Sequence, residues 1–112
     1  MIDELGHPHG LSTRLAEVQV VDVREPYEWD AGRIDGSLHL PLNDLLGGGG
    51  EGDLEHDRPI VVVCRVGNRS ELGAMMLQAR GYDAHNLEGG LEAWERDGLP
   101  LTTPEGAPGH VV

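Results

Sequence analysis

The chain has 112 residues, of which 20 are acidic and eight basic, every basic one an arginine, for a formal net charge of −12. That balance excludes a general basic face, and with it nucleic acid and anionic membrane surfaces as expected partners. The length suits one domain with a single core, which aliphatic residues must fill because there is no Phe and only two Trp and two Tyr. A lone cysteine permits no internal disulfide, and neither a leader pattern nor a membrane-length apolar run is visible, so a reducing, cytoplasmic setting is expected.

Residues 1–10 show little periodicity and read as a flexible lead-in, with His7-x-His9 incidental and no metal site expected from any of the histidines. Leu11 to Glu17 predicts a short helix capped by Ser12 or Thr13. Val18 to Val23 is a β-branched strand that ends in Asp22-Val23-Arg24-Glu25-Pro26, so polar groups emerge at its carboxyl end, the edge where open α/β sheets bind ligands. Asp22 and Arg24 could touch a substrate there, but a structural ion pair supporting nearby loops is the simpler reading. Pro26 suits the first turn of a helix over Tyr27 to Ala31, closed by Gly32.

A turn at Ile34 to Ser37 leads to a short strand, Leu38 to Leu40, stopped by Pro41, and Leu42 to Leu46 predicts a helical turn or two. Gly47 to Asp53 is low in complexity and reads as a loop too flexible to pack; as a phosphate cradle it lacks the Lys-Ser or Lys-Thr pair. Ile60 to Val63 does not alternate with polar residues, which predicts a strand covered on both faces. It ends on Cys64. The compact loop Cys64 to Arg69 then leads into a helix from Ser70, where Leu72, Met75, Met76, Ala79 and Arg80 follow i, i+3, i+4 spacing and Gly81 is the stop. Tyr82 to Leu87 predicts a last strand, and Leu91 to Gly98 an amphipathic helix burying Leu91, Ala93 and Trp94. Residues 101–112 read as an extended tail. Alternating strands and helices give an α/β fold class: a small parallel β-sheet flanked by helices on both faces.

Backbone N–H groups of a short loop curling into a helix N-terminus converge on a concave anion site, and Cys64 stands at its rim. A thiol there, with Arg65 and Arg69 in the same loop, is predicted to be a thiolate near neutral pH, although a lone cysteine after a valine run can also be an inert core thiol. The segment Cys64-Arg65-Val66-Gly67-Asn68-Arg69-Ser70 resembles the active-site loop of rhodanese-type sulfurtransferases. Val21-Asp22-Val23-Arg24-Glu25, Gly36 to Pro41 and Leu87-Glu88-Gly89-Gly90-Leu91-Glu92-Ala93-Trp94 resemble three further segments of that family in the same order. The likeness covers residues 11–100 in its single-domain, rhodanese-like form. Gly32-Arg33-Ile34-Asp35-Gly36-Ser37 departs from the family's Gly-His-Ile-Pro-Gly-Ala, which bears on local packing.

The resemblance implies a sulfurtransferase that takes a sulfane sulfur from a small anionic donor such as thiosulfate, holds it as a Cys64 persulfide, and passes it to cyanide, a thiol or a protein acceptor, without a cofactor. Val66, Gly67, Asn68 and Ser70 would contribute amides to the donor, and Arg65 and Arg69 their guanidinium groups. A persulfide relay or a non-catalytic binding module is the alternative. A cysteine phosphatase or arsenate reductase fits less well, because four residues rather than five separate Cys64 from Arg69.

Overall fold

The computed structural model describes residues 3–112. Four strands, β1 (Gln19–Asp22), β2 (Leu38–His39), β3 (Ile60–Val63) and β4 (Ala84–Asn86), form one parallel sheet in the order β2-β1-β3-β4. The register opposes Asp22 to both His39 and Val63, and Val62 to Asn86. Asp22, His39, Cys64 and Asn86 therefore arrive at one edge, the carboxyl end of the sheet.

Five helices cover it: α1 (Pro8–Ser12), α2 (Pro26–Ala31), α3 (Leu42–Leu46), α4 (Asn68–Ala79) and α5 (Gly90–Arg96). Because successive side chains of a strand point to opposite faces, β3 feeds two cores at once. Ile60 and Val62 join Val21, Leu45, Ala74 and Leu77 beneath α3 and α4, while Val61 and Val63 join Val20, Leu11, Leu91 and Trp94 beneath α1 and α5. Each of these buried Val, Leu and Ile side chains contributes about 1.5–3 kcal/mol of transfer free energy. The unalternating valine run is thus a strand buried twice over, as its sequence predicts.

On α4 the buried face differs from the one its apolar spacing predicts. Ser70, Gly73, Ala74 and Leu77 turn inward, whereas Leu72 is 45% and Met75 58% exposed, and Met76 is half-buried. Small residues decide this: a Cβ on Gly73 would stand 3.3 Å from Val62 Cγ1, so the helix lies close to the sheet along its smallest side chains. The helix also starts at Asn68 rather than Ser70.

The expected lead-in is built into the domain. Glu4–Gly6 forms a 3₁₀ turn whose Gly6 carbonyl accepts from Glu88 N–H at 2.8 Å, and Pro8 opens α1, whose Leu11 is fully buried. The predicted Leu11–Glu17 helix is split into the end of α1 and a 3₁₀ turn, Leu15–Glu17; Met1 and Ile2 lie outside the described residues. The glycine-rich segment, expected to be too flexible to pack, is tied down. Gly47, Gly48 and Gly49 N–H groups donate back to Asn43, Leu45 and Asp44 carbonyls, and the Arg80 guanidinium donates to the Leu45 and Leu46 carbonyls at 2.8 and 3.0 Å. The expected extended tail doubles back instead: Thr102 bridges both Arg33 and Pro108, Leu101 is buried, and His110 N–H donates to Ala31 O at 3.0 Å.

Candidate active-site loop

Cys64 follows the last residue of β3 and is 1% exposed. Its sulfur accepts hydrogen bonds from Gly67 N–H at 3.1 Å and Ser70 N–H at 3.3 Å, and Ser70 Oγ lies 3.2 Å away. Two amides on one sulfur are the arrangement that favours its anionic form, and the first turn of α4 adds the positive end of its dipole. Gly67 makes the turn possible. Its φ of 102° lies in the left-handed region, where a side chain is strained.

The opposite side of the loop is held by α5. Leu91 N–H donates to Cys64 O at 2.8 Å and Glu92 N–H to Arg65 O at 3.0 Å. The approach is so close that a Cβ on Gly90 would collide with the Arg65 and Cys64 carbonyls, which explains the glycine at that position. One helix end thus faces the sulfur and another ties down the carbonyls behind it.

Both loop arginines are already paired. Arg65 Nη1 donates to Glu92 Oε2 at 2.7 Å in a pair whose side chains are half-exposed. Arg69 grips Glu28 with two bonds, 2.7 and 2.9 Å, and Glu28 is buried. The hydrogen bond to Glu28 raises the Arg69 pKa, and the same bond holds Glu28 below the usual carboxylate range despite its burial. Arg69 therefore fastens α4 to α2 rather than standing free for a ligand. Val66 and Asn68 are exposed on the outside of the loop.

Asp22 and Arg24 form a fully buried ion pair: Arg24 Nε donates to Asp22 Oδ1 at 2.9 Å and Nη2 to Oδ2 at 2.8 Å. A further bond from Nη2 to Gly32 O at 2.7 Å ties the end of β1 to the end of α2. Their side-chain bonds run to each other and to Gly32, and Arg24 Nη1 is buried without a partner among the described residues. Beside them, His39 Nε2 donates to Arg24 O and its ring stacks on Trp29 at 4.6 Å, with the Arg33 guanidinium 4.4 Å above the other ring. Arg33, one of the departures from the family pattern, serves in this stack.

Sequence reasoning missed Asn86. Its Nδ2 donates to Gly67 O at 3.1 Å and its Oδ1 accepts from Ser70 Oγ at 2.5 Å. Only the parallel register that aligns the end of β4 with β3 brings it here. Among the described residues no group of His, Cys, Asp and Glu could hold a metal, and no helix is long and apolar enough to cross a membrane.

A thiol cradled by amides at the carboxyl edge of a doubly covered parallel sheet defines a class of α/β proteins with a cysteine-centred anion loop. The rhodanese-like domain family matches residues 8–97, and the chain belongs to it. It is 38% identical over 110 residues to a sulfurtransferase of Allochromatium vinosum, covering 95% of this chain and 100% of that protein. It is 39% identical over 83 residues to the thiosulfate sulfurtransferase GlpE of Shewanella oneidensis, covering 73% of this chain and 80% of the relative. In structure it is similar to a rhodanese-related protein of Thermoplasma volcanium, with a TM-score of 0.80 at 31% identity over 86% of this chain and 94% of the other.

Proposed function

We propose that the protein transfers a sulfane sulfur from thiosulfate or a similar anionic donor to a thiophilic acceptor through a persulfide on Cys64. The observation that carries this reading is the pair of amides, Gly67 and Ser70, donating to the Cys64 sulfur. They stabilise the thiolate and then the charge that develops on the transferred sulfur. In the first step the thiolate attacks the outer sulfur of thiosulfate; a Cys64 Sγ–S bond forms, the donor's S–S bond breaks, and its electron pair leaves on sulfite. In the second step cyanide or a thiolate attacks the outer sulfur and Cys64 departs as the thiolate. The covalent intermediate carries the group, so the chemistry needs no further cofactor.

Amides from Arg65 to Ser70, the residues of the loop and the first turn of α4, hold the anionic sulfurs. Of the guanidinium groups Arg65 is the one that reaches the donor's oxygens, because its pair with Glu92 is open to solvent and exchanges at little cost. Phosphate chemistry fits poorly: Arg69, which a phosphatase loop would aim at the oxyanion, is committed to Glu28. A protein acceptor is the second reading, favoured by the exposed Val66 in the loop and by Leu72 and Met75 on the helix that follows.

Intact mass after incubation with thiosulfate tests the proposal. The wild type is expected to gain about one sulfur atom, released by cyanide or a thiol, and Cys64→Ser to gain none; an adduct on both or neither overturns it. Transfer from the loaded protein to cyanide and small thiols then supports a stand-alone enzyme, and transfer to a protein thiol alone supports a relay.

A further inference from the structure

Ser70 has one hydroxyl proton and two neighbours that could take it, Cys64 Sγ at 3.2 Å and Asn86 Oδ1 at 2.5 Å. Two oxygens approach to that distance only with a proton between them. The orientation of the Asn86 amide follows from its other bond, since Nδ2 donates to Gly67 O at 3.1 Å, which leaves Oδ1 as the atom facing Ser70. The Ser70 proton is therefore on the Asn86 side, and a lone pair of Oγ faces the sulfur. In this arrangement the Cys64 S–H donates to Ser70, Ser70 donates to Asn86, and Asn86 closes the ring by donating to the backbone of the same loop.

We infer that Asn86 is a positioning residue for the Cys64 thiol: it holds the Ser70 proton away from the sulfur, so that deprotonating the sulfur requires the hydroxyl to turn and give up its bond to Asn86. The amides of Gly67 and Ser70 favour the thiolate, and Asn86 opposes them. Asn86 thereby tempers how strongly the loop favours the thiolate, the form more open to oxidation. The thiolate released at the end of each transfer is met by a hydroxyl that can turn toward it. The charged groups around the loop, Arg65 with Glu92 of α5 and Arg69 with Glu28 of α2, are each paired and are not altered in the test.

The inference deepens the reading of Cys64 as the reactive thiol, and its experiment needs no sulfur donor. The rate of alkylation by iodoacetamide is followed against pH. Asn86→Ala is expected to move the midpoint of the profile to lower pH by about one unit, the size of one modest hydrogen bond. In a Ser70→Ala background the same change is expected to move nothing, because the effect passes through the hydroxyl. An unmoved or raised midpoint in Asn86→Ala, or a shift that survives in the Ser70→Ala background, overturns the inference. Should Asn86→Ala fail to fold, the side-chain amide resonance of Asn86 is read in the otherwise unaltered chain: it is expected to follow the alkylation midpoint there and to lose that response in Ser70→Ala. A resonance indifferent to the thiol, or equally responsive without the hydroxyl, counts against it. Persulfide formation, measured separately by mass, reports on the transfer reading alone.

Discussion

Arg65 and Arg69 stand in one loop and differ in what holds them. Arg65 meets Glu92 across solvent, a kind of pair that contributes about 0–1 kcal/mol and rearranges readily. Arg69 meets a carboxylate that is itself buried, in a two-pronged geometry that fixes both partners. Arg65→Ala is therefore expected to raise KM for thiosulfate roughly threefold to tenfold with little change in melting temperature. Arg69→Ala strands the buried Glu28 charge and is expected to destabilise the fold by about 1–3 kcal/mol. Steady-state kinetics and thermal unfolding on the two variants check this, and the opposite pattern would contradict the assignment. The placement of Cys64 between a strand end and a helix start was legible in the sequence because it is local, whereas the left-handed turn at Gly67 was read only from the structure. The partner of Arg69 lies 41 residues away on α2, and no local pattern announces such a pair.

At the scale of elements, the doubly covered central strand followed from composition and the helix faces did not. A valine run buried on both sides admits one explanation, whereas α4 offers two overlapping stripes, one of large apolar residues and one of Ser70, Gly73, Ala74 and Leu77. Close approach to β3 selected the second. Leu77→Ala is accordingly expected to cost about 2–5 kcal/mol and Met75→Gln less than about 0.5 kcal/mol, as read by urea unfolding; equal costs would mean that the apolar stripe is the buried one. The N-terminal segment hid for a related reason: Leu5 and Leu11 join a core completed by the distant Val61, Leu87, Leu91 and Trp94, and polar contacts tie the segment to β4. One such contact is sensitive to pH. Both ring nitrogens of His85 face carboxylates, Asp3 and Asp83, each at 2.9 Å. Burial works against the imidazolium, but the two carboxylates prevail and raise its pKa above the ordinary 6.5. The stabilisation is complete below the unfolded-chain value and is lost as pH rises through the raised one. Melting temperatures measured between about pH 6 and pH 8 are expected to fall more in the wild type than in Asp3→Asn; parallel curves would show that the bridge does not anchor the segment.

The molecule as a whole sets a field that its loop must overcome. A net charge of −12 is carried on a chain with a radius of gyration of 12.7 Å, comparable to the Debye length of about 10 Å at 0.1 M salt. An anionic donor is therefore repelled over most of its approach and attracted only within reach of the loop amides and Arg65, whose own charge is half-answered by Glu92. Long-range repulsion is screened by salt, while the short contacts inside the loop are screened far less. The second-order rate of persulfide formation with thiosulfate is thus expected to rise severalfold as ionic strength is raised from about 0.02 to 0.3 M, the reverse of the behaviour of an enzyme that steers its anion in. Arg65→Ala is expected to steepen the rise, since it removes the nearest compensating charge. A rate that falls with salt would mean that the local cationic potential dominates even at a distance, and would make Arg65 and Arg69 attractors of the donor in spite of their carboxylate partners.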